Sequence, residues 1–112
     1  MDMVKIKRFD VFLVNLDPTI GSEITKTRPA VIISPDSMNL SRLKTVIIAP
    51  MTSTIKDNFP TRILTEFKDK KGQIALDQLR SIDRTRILKK LGVIEKKDQN
   101  KVLDLLSIIF QK

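Results

Sequence analysis

The sequence predicts a mainly β fold of the α+β class: a small barrel, or strongly bent antiparallel sheet, with one C-terminal helix. Short apolar runs rich in β-branched residues alternate with turns that carry proline, glycine or clustered charge. The final apolar segment instead repeats at helical spacing. Because the 112 residues contain no repeat, low-complexity segment or linker, residues 1–112 are predicted to form a single domain.

Three strands are predicted in the first half of the chain. The first covers residues 11–14 and enters a turn at Asp17-Pro18. The second covers residues 30–34 and is followed by a loop over residues 36–44. The third, residues 45–49, is so rich in β-branched side chains that we expect both of its faces to be buried. Pro50 is expected to end its ladder of hydrogen bonds.

The second half is predicted to contain three more strands and the helix. Residues 61–65 and 73–76 form strands around a charged turn at residues 67–72, and residues 88–94 form a last short strand. Residues 81–83 are expected to start a short helical turn. The helix covers residues 97–110, and its wide apolar stripe suits either a broad core contact or a second subunit. The stripe comprises Val102, Leu103, Leu105, Leu106, Ile108, Ile109 and Phe110.

Composition restricts the chemistry that this chain could perform. It has no cysteine and no histidine, which excludes disulfides, zinc sites built on thiolate or imidazole, and histidine-based triads. We expect no metal and no cofactor. The formal charge of +8 is typical of a protein that meets a polyanion such as nucleic acid, although many soluble basic proteins share it. No targeting signal and no membrane-spanning stretch is visible, so a cytoplasmic location is expected.

The most informative segment runs from Gly21 to Ser34, where a polar loop leads through Arg28-Pro29 into an apolar run. Proline fixes its own backbone and disfavours the α region for the residue before it. Arg28 should therefore be extended at the start of a strand, with its guanidinium held by a rigid scaffold. An anion-binding arginine needs this kind of support, although a surface arginine before a strand could show the same pattern.

Three other segments contain residue types suited to binding a phosphate or a base. Thr52 and Ser53 follow the third strand, where hydroxyls donate to phosphate or simply cap the strand. A second segment contains an acid, an amide and a cation, which suit a base edge or a surface ion pair; these are Asp77, Gln78 and Arg80. The third comprises Ser22 and Glu23, which bring polar atoms near the loop arginine.

The order and spacing of these segments resemble the MazF/PemK family of toxin endoribonucleases. The resemblance covers nearly the whole chain. It begins at Phe9-Asp10-Val11 and ends at Arg80-Ser81-Ile82-Asp83. Between these lie Asn15-Leu16-Asp17-Pro18-Thr19, Gly21-Ser22-Glu23, Arg28-Pro29-Ala30-Val31, Ser34-Pro35, Pro50-Met51-Thr52-Ser53 and Leu76-Asp77-Gln78. Two departures are the missing glycine before Asp10 and the lack of the loop histidine that some relatives carry.

The resemblance implies a compact SH3-like barrel with a C-terminal helix that forms a homodimer. It implies cleavage of single-stranded RNA at short sequences without metal, and neutralisation by an antitoxin whose disordered C-terminal segment is acidic. Arg28 and Thr52 match the residues usually assigned to catalysis. The positions expected to bind RNA are Ser22, Lys26, Ser53, Gln78 and Arg80, while Glu23 and Asp77 also match the border of the RNA site.

The residue types suggest roles in a reaction that uses the ribose 2′-OH as nucleophile. Arg28 suits electrostatic stabilisation, because its pKa above ~12 makes it a poor proton shuttle. Thr52 suits a hydrogen bond to the phosphate or the 2′-OH, since an unaided hydroxyl is an inefficient base. A general base must then be a carboxylate, and Glu23 and Asp77 are the candidates. The expected products carry a 2′,3′-cyclic phosphate and a 5′-hydroxyl.

Other functions are compatible with the same composition. A non-catalytic toxin of this architecture, such as a gyrase poison, would act by binding alone. A basic RNA-binding barrel without activity fits the charge equally well, and the helix stripe by itself would suit a partner-binding module. Phe59 could stack on a base, although burial beneath its loop is the expectation. The cleavage sequence, the RNA class and the antitoxin are not encoded in these motifs.

Overall fold

The strands are short because turn residues interrupt each apolar run. A computed structural model describes residues 5–112 and contains seven strands over that range; the first four residues of the predicted domain lie outside it. The strands are β1 (Asp10–Asn15), β2 (Thr27–Ile32), β3 (Thr45–Thr52), β4 (Arg62–Phe67), β5 (Lys70–Ala75), β6 (Arg80–Asp83) and β7 (Ile87–Val93). The helices are α1 (Asp36–Asn39) and α2 (Lys96–Ile109), and 3-10 turns cover Leu76–Gln78 and Arg84–Arg86.

All paired strands are antiparallel, in the order β4-β5-β3-β2-β1-β7. On the edge of β3 opposite β2, the first half pairs with β6 and the end pairs with β5. This change of partner on one edge curls the sheet into a half-barrel. The predicted class, a strongly bent antiparallel sheet with a C-terminal helix, is confirmed.

Two apolar clusters cover the two faces of the central strands. Since side chains alternate along a strand, Val31 faces one cluster while Ala30 and Ile32 face the other. The first cluster lies beneath α2 and includes Val11, Ala49, Met51, Ile74 and Val102. The second includes Ile6, Phe12, Val14, Val46, Ile48 and Ile82. β3 is therefore buried on both faces, as its β-branched composition predicts.

Helix α2 packs only part of its predicted stripe against the sheet. Val102 is fully buried, and Leu105, Leu106 and Ile109 pack against the first cluster. Ile108 and Phe110 are exposed. A buried hydrogen bond of 2.6 Å, donated by Thr65 Oγ1 to Asp98 Oδ2, joins the helix to β4.

The charged turn predicted at residues 67–72 contains only Lys68 and Asp69, because β5 begins at Lys70. Three further local predictions are wrong. The loop predicted at residues 36–44 contains α1, because Asn39 folds back and its side chain bonds Ser34. Residues 81–83 lie in β6, since Ile82 pairs with Val46 and becomes buried. β3 continues through Pro50 to Thr52, because this proline lies between the β6 and β5 pairings.

No helix within residues 5–112 combines the length and the apolar character that crossing a membrane requires.

Candidate functional site

A notch opens in the sheet where β3 ends. β3 lies between β5 and β2, and its last residue is Thr52. Beyond that residue β5 continues for three residues to Lys70 and β2 for one residue to Thr27. Neighbouring strands lie about 4.8 Å apart, so the gap between these two strands is roughly 10 Å wide. The gap forms a cleft of about 230 Å³.

Arg28 lies on the β2 wall of the notch. Ala30 is the partner of Pro50 across the β2–β3 pair, and continuing that register by two residues places Arg28 opposite Thr52. Both residues line the cleft. Arg28 Nε donates to Thr25 O at 2.6 Å, which anchors the guanidinium as the sequence predicts. Its two terminal nitrogens have no hydrogen-bond partner among residues 5–112, so they are available to an anion.

Thr52 begins a short arch that is tied down at both ends by Gln73. The two residues are partners in the β3–β5 ladder. The Gln73 side chain then reaches Lys56, accepting from its backbone N–H at 3.1 Å and donating to its carbonyl at 3.2 Å. Within the arch, Thr52 Oγ1 accepts a hydrogen bond from the Thr54 backbone N–H. The hydroxyl hydrogen of Thr52 remains free to donate elsewhere.

Close backbone approach in the notch depends on Gly72. A Cβ atom built on this residue would lie 2.5 Å from the carbonyl oxygen of Thr52. Real Cβ atoms do not approach a carbonyl so closely, so any larger residue would push β5 away from the end of β3. Gly72 thus sets the position of Thr52 relative to the opposite wall.

The cleft is cationic. Lys70 and Lys71 line it from the β5 side, opposite Arg28. The hydroxyl residues Thr52, Ser53 and Thr65 also line it, and none of its lining residues is acidic. Three cations and several hydroxyls without a carboxylate suit a bound phosphate, because guanidinium and ammonium groups then have no internal partner to displace.

The other predicted site residues line a second, larger cleft of about 370 Å³, which contains Ser22, Glu23, Asp77, Gln78 and Arg80. Here several polar side-chain atoms are already hydrogen-bonded. Gln78 accepts from Ile24 N at 2.6 Å and donates to Ser22 O at 3.2 Å. Arg80 Nη1 donates to Leu16 O, and Glu23 Oε1 accepts from Ile20 N. The smaller cleft thus contains three cations and no carboxylate, while the larger one lies at the base of the 17–27 loop and contains two carboxylates.

Asp77 is committed to Arg62. The guanidinium donates from Nε to Oδ1 at 2.7 Å and from Nη2 to Oδ2 at 3.1 Å. Partial burial raises the pKa of Asp77, but hydrogen bonds from Arg62, its own backbone and Thr61 outweigh that effect and lower the pKa overall. The same guanidinium stacks on Phe59 at 5.1 Å. Phe59 is 44% exposed, so the expected burial beneath its loop is wrong.

The structure thus brings Arg28, Thr52 and Ser53 together and places the remaining predicted residues elsewhere. Lys26 lines neither cleft; its backbone N–H donates to Asp17 Oδ1.

Sequence reasoning missed five residues of the smaller cleft: Thr65, Lys70, Lys71, Gly72 and Gln73. Residues 67–72 read as a charged turn, whereas β5 already begins at Lys70, and Gln73 and Thr65 read as ordinary strand residues. The sequence signal that could have indicated an anion-binding surface here was the pair Lys70-Lys71 next to Gly72.

The chain is similar to known proteins in both sequence and fold. A family model described as PemK-like and MazF-like toxins of type II toxin–antitoxin systems matches residues 7–110. MazF from Deinococcus radiodurans has a similar structure, with a TM-score of 0.83 and 21% identity over 98% of this chain and 100% of that one. An endoribonuclease from Mycobacterial species is similar as well, with a TM-score of 0.75 and 20% identity. The match covers 95% of this chain and 91% of that one.

A further similar structure is an endoribonuclease in complex with its cognate antitoxin, also from Mycobacterial species. It has a TM-score of 0.75 and 19% identity, covering 92% of each chain. At these identities the structural likenesses establish the fold. The family model spans nearly all of the chain, and the chain therefore belongs to the family of PemK-like and MazF-like toxins of type II toxin–antitoxin systems.

Proposed function

We propose that this toxin is a metal-independent, sequence-specific endoribonuclease that cleaves single-stranded RNA. The observation that carries the proposal is the notch at the end of β3, where Arg28 and Thr52 share a cationic cleft without a carboxylate. Family membership supports the same activity.

The proposed reaction uses a nucleophile that RNA itself supplies. The ribose 2′-OH loses its proton and attacks the adjacent phosphorus, forming the O2′–P bond as the P–O5′ bond breaks. The leaving 5′ oxygen gains a proton, so the products are a 2′,3′-cyclic phosphate and a 5′-hydroxyl. DNA should not be cut, because it lacks the 2′-OH.

Arg28 is proposed to stabilise the negative charge that develops on the phosphate. Its Nε is anchored on Thr25 O, which leaves the two terminal nitrogens to bind two phosphate oxygens as a fork. Thr52 is proposed to donate its hydroxyl hydrogen to a phosphate oxygen, since its oxygen already accepts from Thr54 N. Ser53, on the same arch, offers a second hydroxyl.

Of the two candidate bases, we retain Glu23. Both oxygens of Asp77 accept hydrogen bonds from Arg62, and its lowered pKa makes it a weaker proton acceptor. Glu23 is exposed and uses one oxygen to accept from Ile20 N. Because neither carboxylate lines the cleft with Arg28, the rate is proposed to depend more on alignment and charge stabilisation than on proton transfer.

The 17–27 loop is proposed to read the RNA sequence. Gln78 holds the backbone of this loop at Ser22 and Ile24, and Arg80 holds Leu16 just before it, so both are proposed to act on RNA mainly by shaping the loop. Ser22 and Lys26 are exposed and remain candidates for direct contact.

We also propose a homodimer that acts in the cytoplasm and is blocked by an antitoxin. The exposed apolar residues Ile108 and Phe110 at the end of α2 offer a surface for a second subunit. An acidic antitoxin segment would compete with RNA for the cations of the notch. One similar structure is described as a complex with a cognate antitoxin.

The proposal is tested by incubating the protein with a long RNA in EDTA, followed by primer extension and end-group analysis. We expect breaks at one short sequence, with 5′-hydroxyl and 2′,3′-cyclic phosphate ends. Intact RNA at high protein concentration would contradict the proposal and favour a toxin that acts by binding alone. Breaks that appear only when divalent metal is added would contradict the metal-independent mechanism.

A further inference from the structure

The hairpin between β4 and β5 presents two lysines to the notch on a rigid turn. Phe67 and Lys70 are the last paired residues, so the connection has two residues, Lys68 and Asp69. Both have positive φ, 51° and 65°, which is the geometry of a type I′ turn and the one best matched to the twist of a hairpin. Strand pairing therefore fixes the backbone of the two lysines that follow on the wall of the cleft.

Measured along β5, the backbone of these lysines lies beyond the level of Arg28 and Thr52. Thr52 is level with Gln73 in the β3–β5 ladder. A strand rises about 3.4 Å per residue, so Lys71 is about 7 Å and Lys70 about 10 Å further along. β3 has already ended there, so this stretch of β5 has only β4 as a partner.

Neither Lys70 nor Lys71 forms an ion pair within the described part of the chain, since neither ammonium lies within 4 Å of a carboxylate there. Glu66 is the cross-strand partner of Lys71 but does not line the cleft. Both lysines are exposed, so a polyanion can reach them without displacing an internal partner.

We propose that Lys70 and Lys71 form a second phosphate subsite, which binds an RNA phosphate next to the one held by Arg28 and Thr52. The inference rests on the proposed ribonuclease function and adds a path for the RNA backbone, from the β2 wall across the notch to the β4–β5 hairpin. As point charges, the lysines add affinity that does not depend on base sequence.

The test compares the double variant Lys70→Gln/Lys71→Gln with the control Lys89→Gln/Lys101→Gln. Both variants remove two charges from exposed lysines, and the control residues line neither cleft. Binding is followed by fluorescence anisotropy with a short 2′-O-methyl RNA of mixed sequence, which cannot be cleaved by 2′-OH attack. Affinity is measured from about 50 to about 300 mM salt, because each phosphate contact contributes about 0.7 to the slope of log K against log salt.

For the hairpin variant, we expect the slope of log K against log salt to become shallower by about 0.7 for one lost contact or about 1.4 for two. Each lost contact should also lower the affinity about eightfold at 50 mM salt, while the control keeps the wild-type slope. Equal slopes for the two variants would overturn the inference. So would a hairpin variant that binds RNA normally but loses affinity for a polyglutamate peptide, since that would assign the lysines to an acidic protein segment.

The outcomes separate this inference from the proposed function. RNA cleavage by the wild type together with equal slopes overturns the second phosphate subsite alone. No cleavage by the wild type together with a reduced slope in the hairpin variant overturns the ribonuclease proposal and supports the phosphate subsite. Thermal denaturation of each variant checks that the fold is intact.

Discussion

Substituting Gln73 separates two effects on catalysis, namely the positioning of the Thr52 hydroxyl and the overall stability of the fold. Its side chain is 3% exposed and makes two hydrogen bonds, of 3.1 and 3.2 Å, to the backbone of Lys56. Gln73→Met keeps the length of the side chain and removes both bonds. Lys56 is exposed as a residue and both bonds are part-buried, so we expect water to reach its freed backbone groups at a small penalty.

Two long hydrogen bonds of this kind should contribute about 1.5 kcal/mol together. For a domain of this size we expect Tm to fall by about 6 °C. The arch from Thr52 to Lys56 would then be held at one end only, and displacement of the Thr52 hydroxyl by about 1 Å should lower kcat by about 10- to 100-fold.

The matched control is Gln78→Met. Gln78 also makes two hydrogen bonds to the backbone of a loop, but that loop borders the other cleft. We expect a similar fall in Tm and an increased KM with little change in kcat, measured by cleavage of a fluorescent oligoribonucleotide. The reasoning is refuted if Gln73→Met keeps the wild-type kcat, or if both variants lower kcat equally.

Three further predictions concern the same region. Gly72→Ala should destabilise the fold by about 1–3 kcal/mol in urea denaturation, because its Cβ would lie 2.5 Å from the carbonyl oxygen of Thr52; an unchanged midpoint would contradict this. Asp77→Asn should be less stable than the wild type near neutral pH and equally stable in strong acid. Because the pKa of Asp77 is lowered in the folded state, its pairing with Arg62 stabilises the fold above the usual aspartate pKa of 3.8, and this stabilisation is lost as the pH falls below that value. Asp69→Gly should raise the free energy of unfolding by about 1–2 kcal/mol, since this residue has a φ of 65°; a decrease would argue against the type I′ turn.

The sequence predicted the sheet and its closing helix because the signals were local. Alternating apolar runs, proline turns and a helical stripe each depend on neighbouring residues. Failures occurred where pairing between distant segments decided the outcome. Pro50 was expected to end β3, but the strand continues because its partner changes from β6 to β5 at that point. Ile82 was placed in a helical turn, but pairing with Val46 draws it into a strand.

The candidate site was only partly predictable for the same reason. Arg28 and Thr52 could be named from motifs, and strand register places them on one cleft. That Asp77 is bound to Arg62, and that Gln78 supports a loop, depends on contacts 15 or more residues apart in the chain. The contribution of Lys70 and Lys71 depends on β3 ending before β2 and β5 do, which no local pattern indicates.

The central claim is that Arg28 stabilises the reacting phosphate in the notch. It is tested most directly by the single-turnover cleavage rate and RNA affinity of Arg28→Ala, with Arg42→Ala as the control because Arg42 is exposed and lines neither cleft. We predict that Arg28→Ala lowers the rate by roughly 100- to 1,000-fold and keeps most of its RNA affinity, while Arg42→Ala cleaves at the wild-type rate. Unchanged cleavage by a folded Arg28→Ala variant would contradict the account.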